Sequence, residues 1–176
     1  MAIKKELYNP TVSWFLSPVV LVSCTDGERE NIITIAWTGV ICSRPPLISV
    51  SIRPSRFSHD LILKSKEFVL NIPTPEHLTQ SELCGTKSGR EMEKWRECGF
   101  TPEEAKSVSA SLIKECPINI ECKVVKILKD IGTHTVFIGE VQAVHVDRKA
   151  APNSVLDVNP LCYSPKSGVF GRSVII

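Results

Sequence analysis

Two apolar patterns late in the chain each lose their phase by one position. Ile118, Ile120, Cys122 and Val124 alternate with other residues, and the pattern then slips at Val125 and Ile127. Val136 and Ile138 likewise give way to Val141 and Ala143 across Gly139. Side chains change face at every step along a strand, so a one-residue slip would turn all later apolar groups to the wrong side. A β-bulge absorbs the extra residue and bends the strand, as the wall of a small barrel requires. A small closed or split β-barrel is the expected fold.

The earlier chain supplies the other strands. Residues 19–24 are a continuous β-branched run ended by Thr25-Asp26-Gly27, and a second run spans residues 32–41. Pro45 and Pro46 cannot donate to a ladder and mark a break. Ile48, Val50 and Ile52 then alternate with Ser49 and Ser51, and a short strand over residues 68–72 stops at Pro73. Ser58 is predicted to cap a helix. Residues 76–83 and 91–97 have helical composition with Gly99 as a stop, around a flexible loop at 84–90. That loop lacks the G-x-x-x-x-G-K-[ST] order of a phosphate-binding P-loop. The Pro- and Gly-rich tail from Pro152 is expected to be mostly loop.

A chain of 176 residues predicts one domain over its whole length. Basic and acidic groups number nine against eight up to residue 88, and twelve against eleven beyond it. Such balance, with no basic cluster, argues against a nucleic-acid partner and for a small ligand. The longest apolar stretch, residues 14–24, is interrupted by Ser17 and Pro18 and is too short to span a bilayer. Seven cysteines without a C-x-x-C pair predict reduced thiols in a cytoplasmic protein. Cys116 and Cys122 lack the tight spacing of a zinc site, so no metal is expected.

Ser51, Arg53, Ser55, Arg56 and Ser58 place five hydrogen-bond donors within eight positions, at a strand end that runs into a helix. That chemistry suits a phosphate, which needs several donors converging on one point and gains from a helix N-terminus. A basic surface loop with a capping serine is the plain alternative.

The run NIITIAWTGVICSRPPLISVSIRPSRFSHDLI with KSKEFVLNIP, residues 31–73, resembles the flavin reductase-like, FMN-binding split-barrel family, and within it the flavoredoxin branch. PVVLVSCTDG, SGREMEKWRECGF, GTHTVFIGEV and KSGVFG resemble further segments of that family, so the similarity covers most of residues 15–172. It implies a mainly β, six-stranded antiparallel split barrel of Greek-key type with a few peripheral helices. It also implies a homodimer, with FMN in a cleft near the interface. Asn31, Thr34, Ala36 and Trp37 would lie beside the isoalloxazine ring. The phosphate would take Ser51, Arg53, Ser55, Arg56, Phe57 and Ser58, with the backbone of Cys84 and Gly85 close by and His59 as an outlying candidate. Lys94 would face the flavin and favour its reduced anion. His134 would bond the flavin or its reductant, and Phe170 would cap the ring. Lys94 and His134 are thus the catalytic candidates. Each has an ordinary counterpart: core packing for Trp37, a solvated helix face for Lys94, a structural role for His134.

Three functions remain open on these residues. One is electron transfer through bound FMN to a partner protein or small acceptor. The second is NAD(P)H:flavin oxidoreduction with release of reduced flavin, for which no G-x-G-x-x-G element exists. The third is a non-catalytic flavin-binding module.

Overall fold

In the computed structural model, which describes residues 5–12, 14–150, 160–164 and 169–172, the apolar runs form strands and a bulge falls at the slip beside Val125. The slip expected across Gly139 is absent: Thr135, Phe137 and Gly139 are buried in one unbroken alternation, and the second extra residue is Gln142. A short β1 (Ser17–Pro18) leads into β2 (Val20–Thr25), β3 (Glu30–Ile35), β4 (Thr38–Ser43) and β5 (Pro46–Ile52). Helix α1 (Phe57–Ser65), β6 (Glu67–Ile72), α2 (Leu78–Thr86) and α3 (Lys94–Cys98) follow. After the short β7 (Pro102–Glu103) and β8 (Leu112–Ile113) come the long β9 (Ile118–Leu128) and β10 (Thr135–Val146). The described chain ends with β11 (Leu161–Ser164) and β12 (Val169–Arg172).

Seven strands form one antiparallel sheet in the order β3-β2-β6-β9-β10-β5-β4. Its outer strands, β3 and β4, are consecutive in the chain and meet at Ala36 and Trp37. There the Ser51 amide donates to the Trp37 carbonyl across 2.9 Å. The run over residues 32–41, expected as one strand, is therefore two halves of a bent one. The sheet thus has seven strands where six were expected, and the split-barrel class holds.

Strands β9 and β10 shift register between Ile138 and Gly139 and again between Val141 and Ala143. Gly139 has a steric reason for its identity. A Cβ there would stand 2.7 Å from the Phe68 ring and 2.8 Å from Cys122 Cβ. Gly139→Ala should cost about 1–3 kcal/mol by overpacking, measured as a lowered urea midpoint. Gly39→Ala on β4, where a Cβ meets nothing within 4 Å, serves as the control and should leave the midpoint nearly unchanged.

Strand β2 is buried at every position, because both of its faces are covered. Val20, Val22 and Cys24 join Val50, Phe68 and Phe137 in the barrel core. Leu21 instead joins Ile32, Cys84, Trp95, Cys98 and Cys116 in a second cluster that includes residues of α2 and α3. Cys116 and Cys122 therefore pack in different clusters.

Four local expectations are corrected. Helix α1 begins at Phe57 with Arg56 as its N-cap and no side-chain cap hydrogen bond, so Ser58 is not the cap. Helix α2 continues through Cys84, Gly85 and Thr86, which were expected in a loop. Burial of Cys84, 1% exposed, outweighs the roughly 1 kcal/mol that a helical glycine costs. Helix α3 starts at Lys94, because the Glu93 carboxylate accepts from the amides of Trp95 and Arg96 and caps it. It ends, as expected, at Gly99 with φ +68°. The tail is not simply loop: β11 pairs with β1 and with β12. Among the described residues no helix is long and apolar enough to cross a membrane.

Candidate cofactor site

Two clefts adjoin where β3 bends into β4. The larger, of about 290 Å³, is walled by Thr34, Ala36, Trp37, Ser51, Arg53, His134 and Tyr163. The smaller, of about 150 Å³, is walled by Asn31, Ser55, Phe57, Cys84, Lys87 and Lys94. Ile33, Arg56 and Gly85 border both, so they make one groove. Its described lining carries Arg53, Arg56, Lys87 and Lys94 and no carboxylate. Elsewhere, cations such as Arg29, Arg90 and Arg96 sit on Asp26, Asp60 and Glu97.

Lys94 is the most constrained of these cations. Placed at the first position of α3 by the Glu93 cap, it is only 3% exposed. Its ammonium donates to the carbonyls of Ile32 (2.8 Å) and Cys84 (2.7 Å). It thereby plugs the outer edge of β3, whose other side pairs with β2. An ammonium has three donors, and these bonds use two. Burial holds its pKa below the ordinary lysine range. Among the described residues it makes no ion pair, a costly state that an anion in the cleft would relieve.

Asn31, 3% exposed, is aimed by its neighbours. Its amide donates to Ser58 Oγ across 2.7 Å. Ser58 is fully buried and does not line the groove, so it positions Asn31 rather than offering its own hydroxyl there. Gly89 presses on the same asparagine: a Cβ would lie 2.1 Å from Asn31 Oδ1 and 2.9 Å from the Phe57 ring. Phe57 in turn carries the guanidinium groups of Arg29 and Arg90 against its ring, at 5.0 and 5.2 Å.

The aromatic end is built by Trp37 and His134, with ring centroids 4.2 Å apart. Trp37 remains 39% exposed, so it walls the cleft and is not core. Arg53 Nε donates to His134 Nε2 (3.4 Å), which must therefore carry a lone pair. The ring proton then sits on Nδ1, which lies 2.8 Å from Thr133 Oγ1. Burial and the adjacent Arg53 both keep this imidazole's pKa below its usual value, leaving it neutral at pH 7. Thr34 donates its hydroxyl to the Ser81 carbonyl.

Thirteen of the fifteen residues expected at the site thus border one groove; Ser58 is buried behind it. Phe170 lies on β12 opposite Tyr163, and its side chain is outside the described part. His59 is packed away against Thr135 Oγ1 (3.1 Å) and Phe137. Cys84 and Gly85 arrive on a helix and not on a loop. Tyr163, Lys87, Ser88 and Gly89 line the groove as well, without a signal in the sequence. The last three belong to a segment without periodicity, and Tyr163 reaches the cleft only through the pairing of β11 with β1.

The flavin reductase like domain family matches residues 12–168. An uncharacterized protein of Archaeoglobus fulgidus is 40% identical over 114 residues, which cover 65% of this chain and 64% of that relative's length. Among solved structures, the flavoredoxin of Desulfovibrio vulgaris (Miyazaki F) superposes with a TM-score of 0.88 and 30% identity, covering 99% of this chain and 95% of that one. A flavoredoxin from Methanosarcina acetivorans has the same fold, with a TM-score of 0.90 and 22% identity over 99% and 94% of the two chains.

Proposed function

The chain belongs to the flavin reductase-like domain family, and from that premise we propose an FMN-dependent oxidoreductase that passes electrons through bound flavin to a partner protein or small acceptor. The observation that carries this reading is the groove itself. It has an aromatic wall at one end, and four cations with no carboxylate along its described lining. A flat ring with an anionic tail matches both features, and FMN has that form.

Bound FMN would supply the capacity to take up and release electrons. Arg53, Arg56, Ser51 and Ser55 are the donors for its phosphate. Asn31, Thr34, Ala36 and Trp37 are the groups for its ring. Lys94 supplies a buried positive charge that favours an anion on the cofactor, and neutral His134 offers a hydrogen-bonding nitrogen once Arg53 turns to the ligand. Exposed Phe15, Trp37, Val40 and Ile41 support a homodimer covering this side of the barrel. A second cleft, of about 470 Å³ and lined by Val12, Phe15, Ala36 and Trp37, adds room for the partner copy. Seven free cysteines support a cytoplasmic, reducing setting.

The test is colour. Protein dialysed exhaustively should stay yellow, release one FMN per chain on denaturation, and show twice the chain mass under native conditions. Colourless protein that speeds NAD(P)H-dependent reduction of added flavin would replace this reading with a flavin-releasing reductase. Yellow protein that dithionite cannot cycle reversibly would replace it with a passive flavin binder.

A further inference from the structure

Behind the groove, two thiols stand against each other. Cys84 lies in the last turn of α2 and Cys98 closes α3. They are 14 positions apart in sequence, yet their sulfurs are 3.5 Å apart. Both are buried, and Cys84 also borders the smaller cleft beside Lys94. Among the described residues theirs is the only sulfur–sulfur hydrogen bond.

Proximity does not make a thiol reactive; thiolate character does. The hydrogen bond shared with Cys84 holds the Cys98 thiol below its ordinary pKa, and the Lys94 ammonium acts in the same direction. That same bond, together with burial, pushes Cys84 up. Burial raises the other enclosed thiols as well, Cys24 and Cys122 to about 12 and Cys116 likewise upward. Cys98, 8% exposed against 1% for Cys84, is also the more open of the two, which makes it the nucleophile and Cys84 its neighbour in waiting.

We propose that Cys84 and Cys98 form a redox pair in which Cys98 is oxidised by a small peroxide and Cys84 resolves it to a disulfide. The Cys98 thiolate attacks one peroxide oxygen, the O–O bond breaks, and the departing oxygen leaves as an alcohol or water after taking a proton. Cys98 is left as a sulfenic acid. Cys84 gives up its proton and attacks the Cys98 sulfur, the S–O bond breaks, and water leaves. Each sulfur loses one electron and the peroxide gains two. The sulfurs need to close by about 1.5 Å to reach disulfide length.

The bond would tie off residues 85–97, which carry Lys87, Ser88, Gly89 and Lys94 along the smaller cleft. Anchoring that wall should slow the escape of an anion held there. This consequence rests on the FMN reading; formation of the disulfide does not.

The experiment treats reduced protein, with and without FMN, with one equivalent of hydrogen peroxide, then alkylates it in denaturant and maps the peptides by mass. The expected result is a dithiothreitol-reversible link between the Cys84 and Cys98 peptides, 2 Da lighter than their sum, with the other five cysteines alkylated. In Cys84→Ser, dimedone should label Cys98. Full alkylation of Cys84 and Cys98 after Cys42 or Cys162 has been oxidised overturns the proposal. FMN release should be at least fivefold slower from the linked form, and equal rates would overturn the anchoring effect. A link formed in protein that binds no FMN in either state would keep the redox pair and remove the flavin reading.

Discussion

Arg56→Ala is expected to weaken FMN binding by about tenfold to a hundredfold, the worth of one charge-assisted hydrogen bond of roughly 1.5–3 kcal/mol. Arg56 borders both clefts and is exposed. Among the described residues its guanidinium has no carboxylate partner. Its role as N-cap of α1 uses the backbone and no side-chain cap hydrogen bond, so thermal stability should change by no more than about 0.5 kcal/mol. Titration of FMN into the stripped variant, read by flavin fluorescence, gives the affinity, and a melting curve gives the control. Unchanged affinity with a normal melt would remove the phosphate from this end of the groove.

Lys94→Met should act on two quantities at once. In the flavin-loaded protein the midpoint potential should fall by about 30–60 mV, taking 30 mV for each 1.4 kcal/mol of lost preference in a two-electron couple. In the flavin-free protein the effect is on the pH dependence of folding. Burial places the folded pKa of Lys94 below its unfolded value. Between those two values the unfolded chain binds more protons than the native one. Stability contributed by this group therefore rises with pH, from the folded value up to the ordinary lysine pKa of about 10.4. The Met variant should lack that rise. At neutral pH, relief of a buried charge opposes the loss of two hydrogen bonds to Ile32 and Cys84, so the slope is the cleaner reading. Denaturant midpoints between pH 7 and about 10 would check it. Identical slopes in both proteins would take Lys94 out of that role, and an unchanged potential would take it out of the flavin's electrostatics.

Barrel strands were legible because their signal is local. A period of two with a one-step slip marks the bulge at Val125. The slip expected across Gly139 is absent, because Thr135, Phe137 and Gly139 are the buried positions there and Val136 and Ile138 are only half-buried. The donor cluster from Ser51 to Arg56 was legible for the same reason, since a strand end and the turn after it bring neighbours in sequence to one place. Helix starts were less so. Ser58 looks like a cap by type, but the chain turns into α1 one residue earlier, and Ser58 ends up buried against Asn31. The tail was read as loop because its partner strand, Ser17–Pro18, lies at the other end of the chain.

The sequence by itself determined the wall and its chemistry: where strands run, where they bend, and which donors gather at the end of β5. Tertiary structure alone decided which charges lose water. Lys94 sits among Glu91, Glu93, Arg96 and Glu97, a setting that reads as a solvated helix face. It becomes a buried cation only because α3 is laid across the edge of β3. Cys84 and Cys98 meet for the same cause. Burial and long-range contact depend on how distant segments close over one another, and no periodicity along the chain encodes that.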